Sequence, residues 1–265
     1  MILLENRMGF LRKGLLKGAL RHIAIVPRLV ISVRGWPCLL ADCLGRRRQP
    51  YLLALKGGPT CEIRSGSSDW WIFLEIFVFG IYRRAQDDIR HAGVVIDVGA
   101  NVGFFALYVS SINPGVKIHA FEPFPKNAEQ LNKNLQINPG GQVVLHQAAV
   151  ADQTRDMELY FAPGDDSGCT LNEIRSRSCP VKAIGVNELF AACGIAKCDL
   201  LKMDCEGSEL SILQAASPSM LMAIQAVIME YHVPAEVATI LGILSGAGFK
   251  CEVIQSIKTI YASRS

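Results

Sequence analysis

The sequence predicts an α/β fold in which a mostly parallel sheet is covered by helices on both faces. From about residue 93 onward, short apolar runs alternate with segments of helical periodicity, and strands that alternate with helices form parallel sheets. Hydrophobic residues make up 50% of the 265 residues and charged residues only 19%. That balance supports a large buried core and excludes a disordered chain.

Seven short apolar runs give seven expected strands, and helical segments lie between most of them. The expected strands are residues 94–97, 116–121, 143–145, 199–204, 226–230, 249–255 and 258–262. The expected helices are residues 104–111, 126–137, a segment from about 208, and 235–244. Pro125 lies where the first turn of a helix tolerates proline. A short turn joins the last two strands, which predicts a C-terminal antiparallel hairpin at the end of the seven-stranded sheet.

Residues 1–48 are predicted to form a basic, helical extension of a domain that spans residues 49–265. The extension has ten basic residues and two acids, a net charge of +8, whereas seventeen basic and twenty-two acidic residues give −5 for the remainder. The mildly acidic domain offers no broad basic face, so we expect no nucleic-acid partner. Two interpretations of the extension stay open: an amphipathic helix on a lipid or partner surface, or a docked helix with solvated charges.

The cysteine pattern predicts a reducing environment. Nine cysteines are scattered along the chain without a Cys-x-x-Cys pair, and an odd number of dispersed cysteines is typical of free thiols. No uncharged apolar stretch reaches the roughly 18 to 20 residues that a membrane-spanning helix needs. We therefore expect a cytoplasmic protein, with peripheral membrane contact through residues 1–48 as a further possibility.

A glycine-containing turn after the first of these strands predicts a cofactor site. Asp97 ends this strand, and Gly99, Asn101 and Gly103 follow before the next helix. Such a turn lets a ligand approach the backbone closely, and the amides at the helix start donate hydrogen bonds. Glu122 ends the next strand about twenty residues later, where a carboxylate accepts hydrogen bonds from both ribose hydroxyls. This combination indicates a cofactor that contains a nucleoside.

Asn101 favours S-adenosylmethionine over a dinucleotide. A dinucleotide turn has glycine at this position so that the backbone can touch a pyrophosphate, and an asparagine side chain crowds that approach. S-adenosylmethionine has no phosphate. We add Asp152 and Asp204 to the expected cofactor-binding residues. A nicotinamide or flavin oxidoreductase remains the alternative within the same fold.

Several segments carry a resemblance to a known family. They are residues 69–82, 95–103, 121–123, 199–210 and 229–232, with Asn127 and Asn134. Over about residues 60–232 the chain resembles the FkbM family of S-adenosylmethionine-dependent methyltransferases. The resemblance implies a class I methyltransferase (Rossmann-like) fold and methylation of a hydroxyl on a sugar or other secondary metabolite. Cys205 stands where the family usually has valine, and residues before 48 match no known pattern.

Five charged residues near the ends of the fourth and fifth strands are the candidate catalytic groups. They are Lys202, Asp204, Glu206, Glu230 and His232. Methyl transfer depends mostly on alignment, but a base helps when the acceptor is an alcohol. Asp204 or Glu230 is expected to accept the proton, with Lys202 positioning the acid and His232 as an alternative base. The other interpretation is a structural ion-pair network between the two strands.

The three carboxylates of this group could also hold Mg²⁺ or Ca²⁺. Because Lys202 already supplies a positive charge beside them, the sequence analysis predicts no metal site. A third functional possibility is a non-catalytic scaffold with the same fold, whose working part is the basic N-terminus.

An insertion at about residues 152–198 is expected to lie near the active site. It is longer than a simple helical crossover, and long segments beside a site often act as lids. Two strands, 157–161 and 181–184, should bracket a polar loop at residues 163–168. Asp165, Asp166 and Ser167 of that loop are candidates for contact with the acceptor.

Overall fold

The computed structural model describes residue 27 and residues 29–162, 165–171 and 177–264. Its strands are β1 (Val33–Arg34), β2 (Tyr51–Leu55), β3 (Thr60–Ile63), β4 (Val94–Val98), β5 (Lys117–Phe121), β6 (Gln142–His146), β7 (Ala149–Ala151), β8 (Arg155–Ala162), β9 (Asp165–Thr170), β10 (Arg177–Gly185), β11 (Cys198–Met203), β12 (Ile224–Glu230), β13 (Lys250–Ile254) and β14 (Thr259–Ser263). Its α-helices of five or more residues are α1 (Trp36–Cys43), α2 (Asp69–Phe73), α3 (Gln86–His91), α4 (Phe104–Ile112), α5 (Pro125–Ile137), α6 (Leu189–Cys193), α7 (Glu209–Ala215), α8 (Pro218–Met222) and α9 (Val237–Gly246). All seven strands expected for the main sheet are present, each within about two residues of its expected ends.

The central sheet has seven strands in the order β13-β14-β12-β11-β4-β5-β6. Strands β12, β11, β4, β5 and β6 run parallel to one another, whereas β14 is antiparallel to both β12 and β13. The predicted mostly parallel sheet and C-terminal hairpin are therefore confirmed. The chain passes from β4 toward one edge of the sheet and later returns to β11 on the other side. Ligands bind outside the carboxyl ends of the strands at such a reversal.

Two apolar clusters cover the two faces of this sheet. Val95 and Ile118 belong to one cluster, with α4 and the segment around α2. Ile96 and Leu201 belong to the other, with α7 and α9. Val95 and Ile96 are consecutive, and successive residues of a strand point to opposite faces. The buried strands are apolar on both faces because both faces are covered by helices, as predicted.

A small N-terminal sheet packs against this core and includes part of the predicted extension. Strands β1, β2 and β3 form an antiparallel sheet in which Val33 pairs with Leu55, and Val33 and Leu39 are buried. The expected boundary at residue 48 therefore falls between two paired strands rather than between two separate units. Residues 1–26 and 28, with most of the basic charge, lie outside the described residues.

The insertion forms a second sheet of four strands in the order β7-β10-β8-β9. Strand β10 is antiparallel to β8 over Arg177–Ala183, in register with Phe161–Arg155. The expected loop at 163–168 is corrected in part, because residues 165–168 belong to β9, which pairs with β8. Backbone pairing with a neighbouring strand overrides the polar composition that suggested a loop. Residues 163 and 164, and the side chains of Asp165, Asp166 and Ser167, lie outside what the structure describes.

Two further predictions concern the state of the cysteines and the presence of membrane-spanning helices. All nine cysteines are free thiols, as predicted. Within the described residues, no helix has both the length and the apolar character needed to cross a bilayer.

Candidate active site

The turn after β4 closes tightly against the chain that follows β11. Gly99, Asn101 and Gly103 have φ angles of 76°, 50° and 85°, in the left-handed region that glycine and asparagine tolerate best. The backbone N–H of Gly99 donates to the carbonyl of Phe121 at 3.0 Å. A Cβ atom on Gly99 would collide with the carbonyl oxygen of Asp204. Glycine is therefore required for this close approach.

Glu122 is held beside the turn by backbone amides. Its side chain accepts hydrogen bonds from the N–H of Asn101 at 2.8 Å and of Phe124 at 2.9 Å. Only 5% of the residue is exposed. Burial raises the pKa of Glu122 to about 7, against the opposing effect of these hydrogen bonds. The carboxyl group is thus fixed in place and able to change its charge near neutrality.

A network of charged and amide groups supports Glu122 from behind. Arg64 bonds both carboxylate oxygens of Asp69, at 2.9 and 2.7 Å, and Asp69 is fully buried. The same guanidinium donates to the Oδ1 of Asn127 at 3.0 Å, and Asn127 in turn bonds Glu122. The sequence analysis did not identify Arg64. No local pattern marks it, because Asn127, through which it supports Glu122, lies 63 positions away in the sequence.

Asn101 has a buried acceptor without a partner in the described part of the chain. Its Oδ1 atom is buried, and among the described residues it has no hydrogen-bond partner. Buried polar atoms of folded proteins are almost always satisfied. Asn101 and Glu122 line one cavity of about 820 Å³. The orphaned oxygen therefore indicates that a hydrogen-bond donor of a ligand belongs beside the turn.

Asp97 and Lys202 form a buried ion pair across β4 and β11. The two residues are register partners, and the Nζ of Lys202 lies 3.0 Å from the Oδ1 of Asp97. Lys202 also donates to the carbonyl of Gly99 at 2.7 Å. Burial opposes its positive charge, but Asp97, Tyr82 and Asp204 outweigh burial and raise the pKa of Lys202. Lys202 lines the cavity whereas Asp97 does not, so Asp97 holds the lysine and the turn from behind the wall.

His232 is the centre of the charged cluster beside this pair. Its Nδ1 lies 3.0 Å from the Oε1 of Glu209. On the other side of the ring, Nε2 lies 3.6 Å from Glu206, 3.8 Å from Asp204 and 4.0 Å from Glu230. The structure therefore brings together all the acids that the sequence analysis named as catalytic. The structure adds Glu209 to this group. Glu209 lies three positions after Glu206, but the sequence pattern assigned it no role.

The surroundings of the cluster raise the pKa of three of the side chains that line the cavity. Burial lowers the pKa of His232, but the hydrogen bond and charge of Glu209 outweigh burial and raise it to about 9. Burial and the charge of Asp204 raise the pKa of Glu230 to about 7. Burial likewise raises the pKa of Glu75 to about 7. Glu75, which the sequence analysis missed, reaches the cavity from the π-helical turn Leu74–Phe79.

Asp152 is not brought to the cavity. It follows β7 in the second sheet, and its carboxylate pairs with Arg155 at 2.9 Å. The cavity wall includes Val150 but not Asp152. The insertion nevertheless borders the site, because Leu159 and Leu171 line the cavity. Its expected proximity to the active site agrees with this arrangement.

The strand order and the position of the turn define the class of protein. Numbered within the central sheet alone, the strands run 3-2-1-4-5-7-6, with the seventh antiparallel. This is the arrangement of class I methyltransferases, and the cavity lies at the carboxyl ends of its strands. The model of the FkbM methyltransferase domain matches residues 97–251. The chain belongs to the FkbM methyltransferase family, as its motifs predicted.

Two curated relatives and one solved structure are similar to the chain. The 31-O-demethyl-FK506 methyltransferase FkbM of Streptomyces tacrolimicus is 27% identical, covering 74% of this chain and 88% of the relative. The hexuronic acid methyltransferase AglP of Haloferax volcanii is 25% identical, covering 86% of this chain and 92% of the relative. A methyltransferase from Geobacter sulfurreducens is 16% identical with a TM-score of 0.44, covering 70% of this chain and 77% of that structure.

Proposed function

We propose that this protein is an S-adenosylmethionine-dependent O-methyltransferase that acts on a hydroxyl of a small molecule, such as a sugar or secondary metabolite. One observation carries the proposal: Asn101, whose Oδ1 has no partner among the described residues, and the charged cluster around His232 line the same cavity of about 820 Å³. Methylation of an alcohol needs a binding site for the methyl donor and, beside it, a base for the hydroxyl proton. Family membership and the names of the two relatives support the same reaction.

The residues around the turn fit S-adenosylmethionine. Glu122 can accept hydrogen bonds from the ribose hydroxyls, and the Oδ1 of Asn101 can accept one from the ammonium group of the amino-acid tail. When bound, the cofactor supplies an activated methyl group, which the acceptor oxygen takes as the carbon–sulfur bond breaks and S-adenosylhomocysteine forms. The left-handed turn would let the tail of a bound cofactor approach the backbone closely.

The charged cluster supplies the acid–base chemistry. The hydroxyl proton of the acceptor must leave as the new carbon–oxygen bond forms. Asp204 and Glu230 are the proposed proton acceptors, with Lys202 fixing the orientation of Asp204 from 3.8 Å. His232 relays or holds the charge. Trp70 and Trp71 line the same cavity and offer flat apolar surfaces to a ring-shaped acceptor.

The test is product formation from methyl-labelled cofactor and a small-molecule extract, followed by mass spectrometry. We expect label on an oxygen of a small molecule. Asp204→Asn and Glu230→Gln should lower turnover by about 10²- to 10⁴-fold, the usual contribution of a general base, while S-adenosylhomocysteine binds as before. Label on protein or nucleic acid alone would refute the substrate class. No transfer at all, with normal cofactor binding, would favour the scaffold interpretation.

Cofactor binding should depend on pH through Glu122. Its pKa of about 7 means that the carboxylate needed to accept from the ribose is lost as the pH falls below 7. If only the ionised form binds, the dissociation constant of S-adenosylhomocysteine rises about tenfold per pH unit below that value. Isothermal titration calorimetry from pH 5.5 to 8.5 measures this dependence.

Glu122→Gln should flatten that pH profile and weaken binding at pH 8. Glu252→Gln is the control, because Glu252 lies on the edge strand β13, is half exposed and pairs with Arg84. Binding that does not change with pH in the wild type, or that keeps its slope in Glu122→Gln, removes Glu122 from the ribose site. Tight NADH binding without any response to S-adenosylhomocysteine would restore the oxidoreductase interpretation.

A further inference from the structure

We propose that Asp204, Glu230 and His232 bind one divalent transition-metal ion, of the Mn²⁺ type, on the wall of the methyl-transfer cavity. One carboxylate oxygen from each acid and one ring nitrogen of His232 lie within 4.8 Å of one another. Asp204 directly follows β11, and Glu230 ends the adjacent strand β12. Two rigid neighbouring strands therefore fix the three ligand atoms at the mouth of the site.

The three ligand atoms are farther apart than hydrogen-bonded atoms. The Nε2 of His232 lies 3.8 Å from the Oδ1 of Asp204 and 4.0 Å from the Oε1 of Glu230, too far for hydrogen bonds. Ligands about 2.1 Å from an octahedral ion stand about 3.0 Å apart at right angles. The acids must therefore move closer to Nε2 when an ion binds, and Glu206, at 3.6 Å from Nε2, borders the same space.

Glu209 orients His232 as a metal ligand. A histidine that binds a metal usually donates its other ring N–H to a carboxylate, which fixes the ring and its tautomer. The Nδ1 of His232 lies 3.0 Å from Glu209, whose side chain is 2% exposed. Glu209 is itself fixed by the backbone N–H groups of Cys205 at 3.0 Å and Gly207 at 3.1 Å. This arrangement directs Nε2 toward Asp204 and Glu230.

Lys202 does not occupy the place of this ion. The sequence argument against a metal was that Lys202 neutralises the acids. Its closest oxygens are instead the carbonyl of Gly99 at 2.7 Å and the carboxylate of Asp97 at 3.0 Å, with Asp204 at 3.8 Å.

The ligand chemistry selects the type of ion and suggests its role. Imidazole nitrogen suits transition metals and carboxylates suit Mn²⁺, whereas Mg²⁺ and Ca²⁺ prefer oxygen ligands throughout. A bound divalent ion acts as a Lewis acid and lowers the pKa of a hydroxyl that contacts it. With the ion bound, Asp204 and Glu230 are its ligands instead of free proton acceptors, and the hydroxyl proton leaves to water. This role rests on the proposed function, because it assumes a hydroxyl acceptor. The binding of the ion itself does not.

Titration of the full-length protein with Mn²⁺ tests the site. Free Mn²⁺ is counted by electron paramagnetic resonance at pH 8, and we expect one ion bound per chain. Asp204→Asn and His232→Gln should each weaken binding at least tenfold, and the two residues follow different strands, β11 and β12, so that a folding defect in one variant leaves the other informative. Glu252→Gln should bind as the wild type does. S-adenosylhomocysteine binding and thermal melting are measured on the same samples.

The outcomes separate this proposal from the proposed function. If S-adenosylhomocysteine binds but Mn²⁺ does not, or if both variants keep wild-type Mn²⁺ affinity, the metal site is refuted and the methyltransferase function stands. If Mn²⁺ binds with the expected variant pattern but S-adenosylhomocysteine does not, the metal site stands and the cofactor assignment fails. Loss of methyl transfer in EDTA, restored by Mn²⁺, would support the Lewis-acid role.

Discussion

Replacing Lys202 by methionine should destabilise the protein by about 3–5 kcal/mol, the usual cost of removing one partner from a buried ion pair. Methionine keeps most of the volume of the side chain but removes the ammonium group. Asp97 is fully buried, and the ammonium group of Lys202, 3.0 Å from its Oδ1, compensates its charge. In Lys202→Met, no positive charge compensates the buried carboxylate of Asp97. Urea denaturation of both proteins at pH 7.5 measures the difference.

The destabilisation in Lys202→Met should grow with pH. Burial already raises the pKa of Asp97 above its ordinary value, and loss of Lys202 raises it further. A carboxyl group whose pKa is higher in the folded than in the unfolded state loses stability as the pH rises through the folded value. The deficit should therefore be small near pH 4 and largest above neutrality.

Two control variants isolate the buried pair. Asp97→Asn combined with Lys202→Met removes both charges, so most of the lost stability should return. Lys133→Met removes an exposed lysine that pairs with Glu129 at 2.8 Å on α5, and exposed pairs contribute little. A Lys202→Met protein as stable as the wild type at pH 7.5 would mean that Asp97 and Lys202 are not a charged pair.

The strands of the main sheet could be predicted because each is a short apolar run with its own local signal. Val94 to Ile96 and Ala226 to Met229 are buried or half-buried at every position, so they appear in the sequence as unbroken apolar segments. Acids at the ends of such runs, such as Glu122 and Glu230, must lie at one edge of a parallel sheet. Because ligands bind at this edge of such sheets, the sequence alone predicts where the cavity lies.

The remaining parts of the site depend on contacts that no local pattern encodes. Arg64 reaches Asn127 across 63 positions of the sequence, and Glu75 enters the cavity from a π-helical turn. Asp97 was predicted to bind the cofactor because it lies at the end of its strand, and the structure does place it there. Its side chain instead points to Lys202, because pairing of β4 with β11 puts the two residues in register. The partner of a residue on a neighbouring strand depends on how the two strands are aligned. The sequence pattern of a single strand does not contain that alignment.

Gly99→Ala should remove cofactor binding and cost about 3–5 kcal/mol of stability, through left-handed backbone strain plus a steric clash. A Cβ atom there meets the backbone carbonyl of Asp204, which cannot rotate away as a side chain could. Either the turn or the segment after β11 must move. Both movements displace groups of the site: Asn101 and Glu122 on one side, and the Asp204 carboxylate on the other.

Gly57→Ala is the matched control, because it separates the clash from the backbone strain. Gly57 has a φ angle of 77°, against 76° for Gly99, but a Cβ atom there meets no atom within 4 Å. Strain alone should cost about 1–2 kcal/mol and leave S-adenosylhomocysteine binding unchanged. Denaturation and calorimetry of both variants give the comparison. Equal stability losses, with cofactor affinity retained in Gly99→Ala, would show that the turn and Asp204 are not in close contact, and the alignment of cofactor turn and base would then need another explanation.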